Sequence, residues 1–224
     1  MRINWRTEII SLFLIVAMFV LAGITWPAVP DSIPVHWGLN FQPDRYGNKF
    51  EGLLLLPLIA LGLYLLLLFL PYIDPRGERY RRFAGAYLVI RTVVVAFMMA
   101  IQVVTVLWAR GMTVDFLIIM SLAMGLLFMV MGNYMGKIRP NWFAGIRTPW
   151  TLSSVESWNK THRMGGKVFV AIGLIMAFSS LFQKPWTFFA SIGLLLVSTI
   201  GLVVYSYYIW RADPAVHSKN TTSS

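Results

Sequence analysis

Residues 132–166 read GNYMGKIRPNWFAGIRTPWTLSSVESWNKTHRMGG, a polar, basic and aromatic-rich segment that lies between two apolar runs. We call this segment the island. The flanking runs, 114–135 and 166–182, are each long enough to cross a hydrocarbon core of about 30 Å. The island is therefore predicted to connect two membrane spans, and recognition or chemistry in this protein is expected mainly there.

The composition and the remaining apolar runs predict the fold class. Hydrophobic residues make up 58% of the 224 positions and charged residues 12%, and the mean hydropathy is +0.68, whereas soluble domains have about 45–50% and about 25%. The sequence predicts an all-α polytopic membrane bundle, with one membrane domain over 1–213 and a disordered tail over 214–224. The fifth run is the weakest, so its helix is expected to recruit part of the island. The six predicted transmembrane helices are 9–26, 53–72, 83–108, 114–135, 166–182 and 187–210.

The distribution of basic residues predicts the orientation. Of the 19 Lys and Arg residues, fourteen fall on one side of the predicted spans and four on the other. The positive-inside rule then places both termini and the island in the cytoplasm. The net charge of +10 reports this topology, so nucleic-acid binding is unnecessary to explain it. The four arginines within residues 76–82 are expected to contact anionic lipid.

Residues 27–50 form the only sizeable loop predicted outside. Four prolines exclude a regular helix and favour a compact ordered loop, with turns at Asp31-Ser32 and at Tyr46-Gly47-Asn48. Two interpretations stay open, an interfacial cap and a site for a ligand or peptide. A metal held by His36, Asp31 and Asp44 is a weak pattern, and no cofactor or metal is expected. The candidate binding residues of this loop are His36, Trp37, Asp44, Arg45 and Tyr46.

The island divides into a loop and a helix. Pro140 stops any continuation of the fourth span, and residues 141–150 have no helical period. Ser153 and Glu156 fit a capping box, which predicts that a helix begins there and lies along the membrane surface before turning into the fifth span. The island is expected to bind an anionic group or a protein, unless it is an amphipathic linker anchored by tryptophans. Its candidate binding residues are Asn141, Arg147, Thr148, Trp150, Thr161, His162 and Arg163.

The residues of the island give little support for a catalytic function. Glu156 is the only carboxylate of the island and is assigned to the cap, and His162 is its only side chain that ordinarily titrates near neutral pH. No Ser–His–Asp arrangement or carboxylate pair is readable. We therefore predict no catalytic residue and no enzymatic activity. The absence of cysteine excludes disulfides and thiolate metal sites.

Polar residues also occur within the predicted spans. Arg91, Gln102 and Asn133 suggest an interior polar pocket that opens to the cytoplasm, because an intramembrane ionisable residue is costly. The alternative for Arg91 is snorkelling toward the headgroups. We find no acidic residue within a predicted span and no internal repeat, so a transporter is the less favoured class.

Two sets of motifs resemble one known family. The island carries GNYM (132–135), KIRPN (137–141), GIRTPWT (145–151) and WxxTHRxGG (158–166), and the outer loop carries PDxIPxHW (30–37) and PDRYGxK (43–49). These resemble the SdpI family, bacterial immunity proteins against the SDP killing peptide; residues 38–42 depart from the usual pattern.

The resemblance implies a six-span inner-membrane protein without a cofactor. It implies protection against an extracellular, membrane-acting peptide toxin and the docking of a cognate transcriptional repressor at the membrane. The alternatives are a small-solute or lipid transporter, or a lipid- or envelope-modifying enzyme.

Overall fold

The predicted membrane bundle is present. The computed structural model describes residues 5–221, and in that range six helices are long and apolar enough to span a membrane, which confirms the predicted fold class and span count. The eight helices are α1 (Trp5–Thr25), α2 (Leu55–Ile73), α3 (Ala84–Ala109), α4 (Phe116–Met135), α5 (Pro149–Ser153), α6 (Val155–Ser179), α7 (Pro185–Arg211) and α8 (Pro214–Thr221).

Paired glycines hold α4 against α6. Gly125 faces Gly173 and Gly132 faces Gly166, so two contacts seven residues apart join antiparallel helices. A Cβ added at Gly125 would lie 2.7 Å from the Gly173 carbonyl oxygen, and one at Gly132 would lie 2.7 Å from that of Gly166. Small residues let membrane helices approach this closely, and packing rather than water exclusion then stabilises the pair. Helices α4, α6 and α7 form one group, and α3 joins it to α1 and α2.

The outer loop is a β-hairpin. Strand β1 (Ser32–Trp37) pairs antiparallel with β2 (Pro43–Asn48), and the chain reverses over residues 38–42. The predicted turn at Tyr46-Gly47-Asn48 is therefore wrong, because it lies within β2, whereas Asp31-Ser32 lies where the chain bends into β1. The prolines are compatible with strands because each strand of a two-stranded sheet has a free edge, where a missing N–H costs no ladder bond. We call residues 32–48 the hairpin and its side of the bundle the hairpin side; the opposite side is the basic side.

The island leads directly into the fifth span. Helix α6 is continuous from Val155, so no separate surface helix turns into it, although the fifth span does recruit island residues as predicted. The predicted cap is shifted by one residue: Ser154 Oγ accepts from the Ser157 amide at 2.9 Å, while Ser153 Oγ donates to the Pro149 carbonyl at 2.8 Å. A capping box does occur, between Thr148 and Thr151 at the start of α5.

The structure also differs from the predicted disordered tail. Helix α8 covers Pro214–Thr221, and residues 222–224 lie outside the described residues. Asp213 Oδ1 accepts from the Ala215 amide at 3.0 Å, and its Oδ2 accepts from Ser154 Oγ at 2.6 Å. A buried carboxylate thus caps the tail helix and ties it to the start of α6.

Candidate functional site

An apolar cleft opens beneath the hairpin. We call it the hairpin cleft; it has a volume of about 520 Å³. Its hairpin wall depends on Phe41, whose φ of 60° turns the ring inward to meet Phe188 edge-on at 5.2 Å. Trp37 stacks on Phe116 at 4.6 Å with an interplanar angle of 22°. The bundle wall comes from α3, α4 and α7, through Phe97, Met120, Met124, Phe188, Phe189 and Ile192.

A polar pair borders the cleft. His36 Nδ1 lies 2.6 Å from Asp44 Oδ1, and the two side chains are 61% and 50% exposed. Both residues line the cleft together with Trp37. The structure thus brings together three of the five residues predicted in the outer loop.

The other two predicted residues of the hairpin lie elsewhere. Arg45 Nη1 pairs with Glu51 at 2.6 Å, and Tyr46 borders a different cavity of about 500 Å³ that Arg110 also lines. Asp31 pairs with Lys49 Nζ at 3.3 Å. The three residues of the weak metal pattern are therefore divided between two ion pairs.

His162 is a structural residue of the island. It is fully buried and stacks on Trp158 with ring centroids 4.1 Å apart. Its Nε2 accepts from the Ile146 amide at 3.0 Å, and its Nδ1 lies 2.8 Å from the Trp158 carbonyl oxygen. Because an amide only donates and a carbonyl only accepts, these partners assign a neutral ring with its hydrogen on Nδ1. Gly145 has a φ of +111°, and a Cβ there would overlap the ring.

Asn141 organises the island loop from the inside. It is fully buried; its Nδ2 donates to the carbonyls of Arg139 (2.8 Å) and Ala144 (3.0 Å). Its Oδ1 accepts from the amides of Phe143 (2.9 Å) and Ala144 (2.6 Å) and lies 3.1 Å from the Tyr80 hydroxyl. Every polar atom of the side chain is occupied, so Asn141 holds the loop in shape and offers nothing to a ligand.

The threonines of the island are also buried. Thr148 Oγ1 lies 2.9 Å from Ser206 Oγ and so links the start of α5 to α7. Thr161 is fully buried, and among the described residues its hydroxyl has no hydrogen-bond partner. Trp150 packs edge-on against Tyr207 at 5.2 Å, partly exposed.

Two predicted island residues face outward as cations. Arg147 is exposed, and its Nη1 donates to the Trp142 carbonyl at 2.5 Å. Arg163 is also exposed and borders a cavity of about 720 Å³ beside Lys160 and Asp213. The seven predicted residues thus divide into four buried scaffold residues and three at the surface. Sequence pattern alone could not separate the two groups, because both consist of polar residues in one motif.

The comparisons with known proteins agree with the motifs. Residues 137–206 match the model of the SdpI/YfhL protein family, and residues 13–61 match a domain of unknown function, DUF1648. The chain is 26% identical over 206 residues to "Immunity protein SdpI" of Bacillus subtilis (strain 168), covering 92% of this chain and 97% of the relative. The chain is therefore similar to the SdpI family in its motifs, in residues 137–206 and along most of its length. No solved structure matches the chain.

The two matched regions contain the hairpin and most of the island. Residues 13–61 span most of α1, the hairpin and the first residues of α2; residues 137–206 span the island from Lys137 onward, α6 and most of α7. The protein is a multi-pass membrane protein, so the outward apolar side chains of its spans contact lipid. Examples are Phe13 (68% exposed), Val197 (67%) and Ile200 (65%).

Inside the bundle, Arg91 pairs with a carboxylate that the sequence analysis missed. Its Nη2 lies 2.5 Å from Glu8 Oε1, and the side chains are 3% and 5% exposed. Tyr64 donates to the other Glu8 oxygen at 3.0 Å, and the Arg91 guanidinium lies 5.6 Å from the Tyr87 ring centroid. Arg91 therefore does not snorkel. An acidic residue is buried within a span, contrary to the prediction.

The predicted interior pocket does not form from its three proposed residues. Gln102 Nε2 donates to the Leu53 carbonyl at 3.1 Å, about 16 Å along α3 from Arg91 at 1.5 Å per residue. Asn133 lies on an exposed surface of α4. Arg91 and Gln102 thus bind separate partners, and Asn133 is exposed instead of lining a pocket with them.

Proposed function

We propose that this protein gives a bacterium immunity to an extracellular antimicrobial peptide of the SDP type. It would act in the cytoplasmic membrane as one membrane domain over 1–213, with the hairpin outside and both termini in the cytoplasm. The observation that carries the proposal is the alignment with the immunity protein along 97% of that relative. The basic side, with fourteen of the nineteen Lys and Arg residues, supports the orientation.

The hairpin cleft is the proposed contact site for the peptide. A membrane-acting peptide carries apolar side chains, and the cleft offers aromatic rings together with Met120 and Met124, whose flexible thioethers adapt to varied shapes. The His36–Asp44 pair at its border provides polar partners for the peptide backbone or a charged end. A peptide held there would be kept from the surrounding bilayer.

The experiment is a survival assay in toxin-sensitive bacteria that express the full chain and are challenged with an SDP-like peptide. Met124→Trp fills the cleft and is expected to abolish protection, whereas Leu122→Trp on the same helix, 49% exposed, is the matched control and should protect fully. Both are compared at equal membrane abundance. If cells that express the wild-type chain survive no better than cells without it, the immunity proposal is refuted. If both variants protect equally, the cleft is not the contact site for the peptide.

The proposal includes no catalytic residue, cofactor or metal. Both nitrogens of His162 are engaged within the fold, and Glu156 Oε1 pairs with Lys160 Nζ at 2.6 Å. A lipid- or envelope-modifying enzyme that used the island for acid–base chemistry would need one of these two side chains free. Lipid turnover by the purified protein that is lost in His162→Ala but kept in Trp158→Ala would contradict the proposal.

A docked cytoplasmic repressor is a further part of the proposal. Its candidate surface is the cavity between the start of α6 and the tail, where Lys160 and Arg163 alternate with Glu156 and Asp213. The test follows a labelled cognate repressor before and after toxin challenge. Movement to the membrane that depends on Arg163 supports docking; an unchanged distribution contradicts it.

A transporter is the second candidate, and one observation favours it. Glu8 and Arg91 form a buried ion pair, and such pairs mark ion and proton pathways in many membrane proteins. Flux of a solute or lipid in proteoliposomes that requires both residues would favour transport. Immunity that survives in Glu8→Gln at normal abundance would separate protection from this pair.

A further inference from the structure

Three arginines gather around one short segment on the basic side. Arg79 Nη1 donates to the Pro140 carbonyl at 3.1 Å, and Arg147 Nη1 donates to the Trp142 carbonyl at 2.5 Å. The Arg76 guanidinium carbon lies 5.2 Å from the centroid of the Trp142 ring. We call Arg76, Arg79 and Arg147 the arginine cluster. They come from two connections separated in sequence by two spans, so the fold rather than local sequence assembles them.

The cluster is held in place by buried polar groups. Asp74 Oδ2 accepts from the Tyr80 hydroxyl and the Trp142 amide, both at 3.0 Å, and its Oδ1 accepts from the backbone amide of Arg76 at 2.7 Å. Asn141, between Pro140 and Trp142, is fully satisfied by its own loop. The positions of the three guanidinium groups are therefore set before any ligand binds, which lowers the ordering cost of binding.

The cluster has no carboxylate partner within residues 5–221. Among the ion pairs of the described residues, none includes Arg76, Arg79 or Arg147. Each guanidinium has one contact with a neutral carbonyl or ring and keeps further N–H donors. Asp74, the nearest acid in this network, is engaged by backbone amides and a hydroxyl. The cluster is thus a fixed set of cations that no ion pair balances in the part of the chain that the structure describes.

The surroundings of the cluster are those of a membrane interface. Exposed apolar side chains lie beside it, at the end of α2 and in the island: Ile73 is 63% exposed, Trp142 44% and Phe143 41%. Tryptophan at the end of a span is typical of the headgroup level. A ligand at the cluster would therefore have an anionic group next to the arginines and apolar chains next to these side chains.

We propose that the arginine cluster binds the phosphate of an anionic phospholipid headgroup, with the acyl chains along Ile73 and Phe143. Arginine forks match phosphate oxygens in pairs, and two or three guanidinium groups can share one phosphodiester. This site is separate from the hairpin cleft, since it lies on the opposite side of the bundle. It would anchor the loop between α2 and α3 and the island to the same lipid.

The experiment counts bound lipid by native mass spectrometry. The full-length protein in neutral detergent is mixed with phosphatidylglycerol and phosphatidylcholine of matched acyl chains. The wild-type chain is expected to retain phosphatidylglycerol preferentially, and Arg147→Ala or Arg79→Ala to lose about fivefold in affinity for it, the effect of one basic residue near an anionic surface. Arg163→Ala removes an equal charge from an exposed position of the same side and is expected to change the affinity less than twofold.

Arg147→Lys keeps the positive charge and tests whether binding requires the planar guanidinium group of arginine. It is expected to lose most of the preference for phosphatidylglycerol while unfolding in phosphatidylcholine at the wild-type temperature, so misfolding cannot explain the loss. If Arg147→Ala and Arg163→Ala lose the same affinity for phosphatidylglycerol, the binding depends on general surface charge, and the proposed site is wrong. Full competition by inorganic phosphate at the lipid's concentration would make it a free-phosphate site. Binding of an acidic peptide without lipid preference would make it a protein site.

Discussion

The hairpin and the island carry motifs of the same family, but their polar residues are used in opposite ways. In the hairpin, His36, Asp44 and Arg45 are exposed and pair across short distances at the surface. In the island, Asn141 and His162 are fully buried, with their hydrogen bonds made inside the loop. A dense polar motif in a membrane protein can thus encode either a binding surface or the internal scaffold of a loop, and burial decides between them.

The largest effect is expected where the island scaffold is broken. Asn141→Ala removes the acceptor of two backbone amides and the donor of two carbonyl bonds, all buried, and should destabilise the protein by about 3 kcal/mol. The measurement is the thermal or denaturant unfolding transition in detergent. Asn133→Ala, at an exposed position of α4, is the matched control and should stay within about 0.5 kcal/mol of wild type. Wild-type stability of Asn141→Ala would mean that the island loop does not depend on this network.

The class and span count were predictable because they depend on composition and run length alone. Pairings between distant residues were not. The predicted first span begins at residue 9, one position after Glu8, which leaves this carboxylate outside the span; its partner Arg91 is 83 residues away. The sequence does not predict the hairpin because Pro34 and Pro43 favour a loop, although the edges of a two-stranded sheet accept proline.

The candidate sites were predictable only as segments. Residue types and spacing located the hairpin and the island, but both His162 and Arg147 carry polar side chains within the same island motif. Only the fold reveals that both ring nitrogens of His162 are engaged, by the Ile146 amide and the Trp158 carbonyl. Arg147 instead faces outward beside Arg76 and Arg79. The same applies to Phe41, which no motif singled out and whose positive φ places it in the cleft wall.

The next effect distinguishes two aromatic residues of the hairpin. Trp37→Ala loses a stacked ring in the cleft wall and should cost about 1–2 kcal/mol of stability and most of the protection against the peptide. The Tyr46 side chain is 58% exposed and lies outside the cleft, so Tyr46→Ala should leave stability and protection at the wild-type values within error. Survival assays at matched membrane abundance, with unfolding curves beside them, make the comparison. Equal loss of protection in the two variants would assign the function to the hairpin as a whole.

A smaller effect on stability, with a clear effect on function, is expected at Arg147. Arg147→Lys keeps a cation at an exposed position, so stability should change by less than about 0.5 kcal/mol. If the fork contacts a phosphate or carboxylate, protection should still fall, because lysine cannot form the planar pair of bonds. Activity is measured per molecule in the membrane, with Arg147→Ala alongside. Full activity in both variants would leave Arg147 as part of an interfacial linker.

The smallest effect on stability is expected at the His36–Asp44 pair. Both side chains are at least half exposed, and exposed pairs typically contribute about 0–1 kcal/mol and less as salt is added. Asp44→Asn should therefore leave the unfolding transition almost unchanged. A carboxylate at the border of the cleft would nevertheless attract the positively charged N-terminus of a peptide, so protection should decrease most in low-salt medium and converge with wild type as the salt concentration rises. A deficit independent of salt would instead mean that Asp44 acts by shaping the hairpin, as its contact with His36 across the two strands would allow.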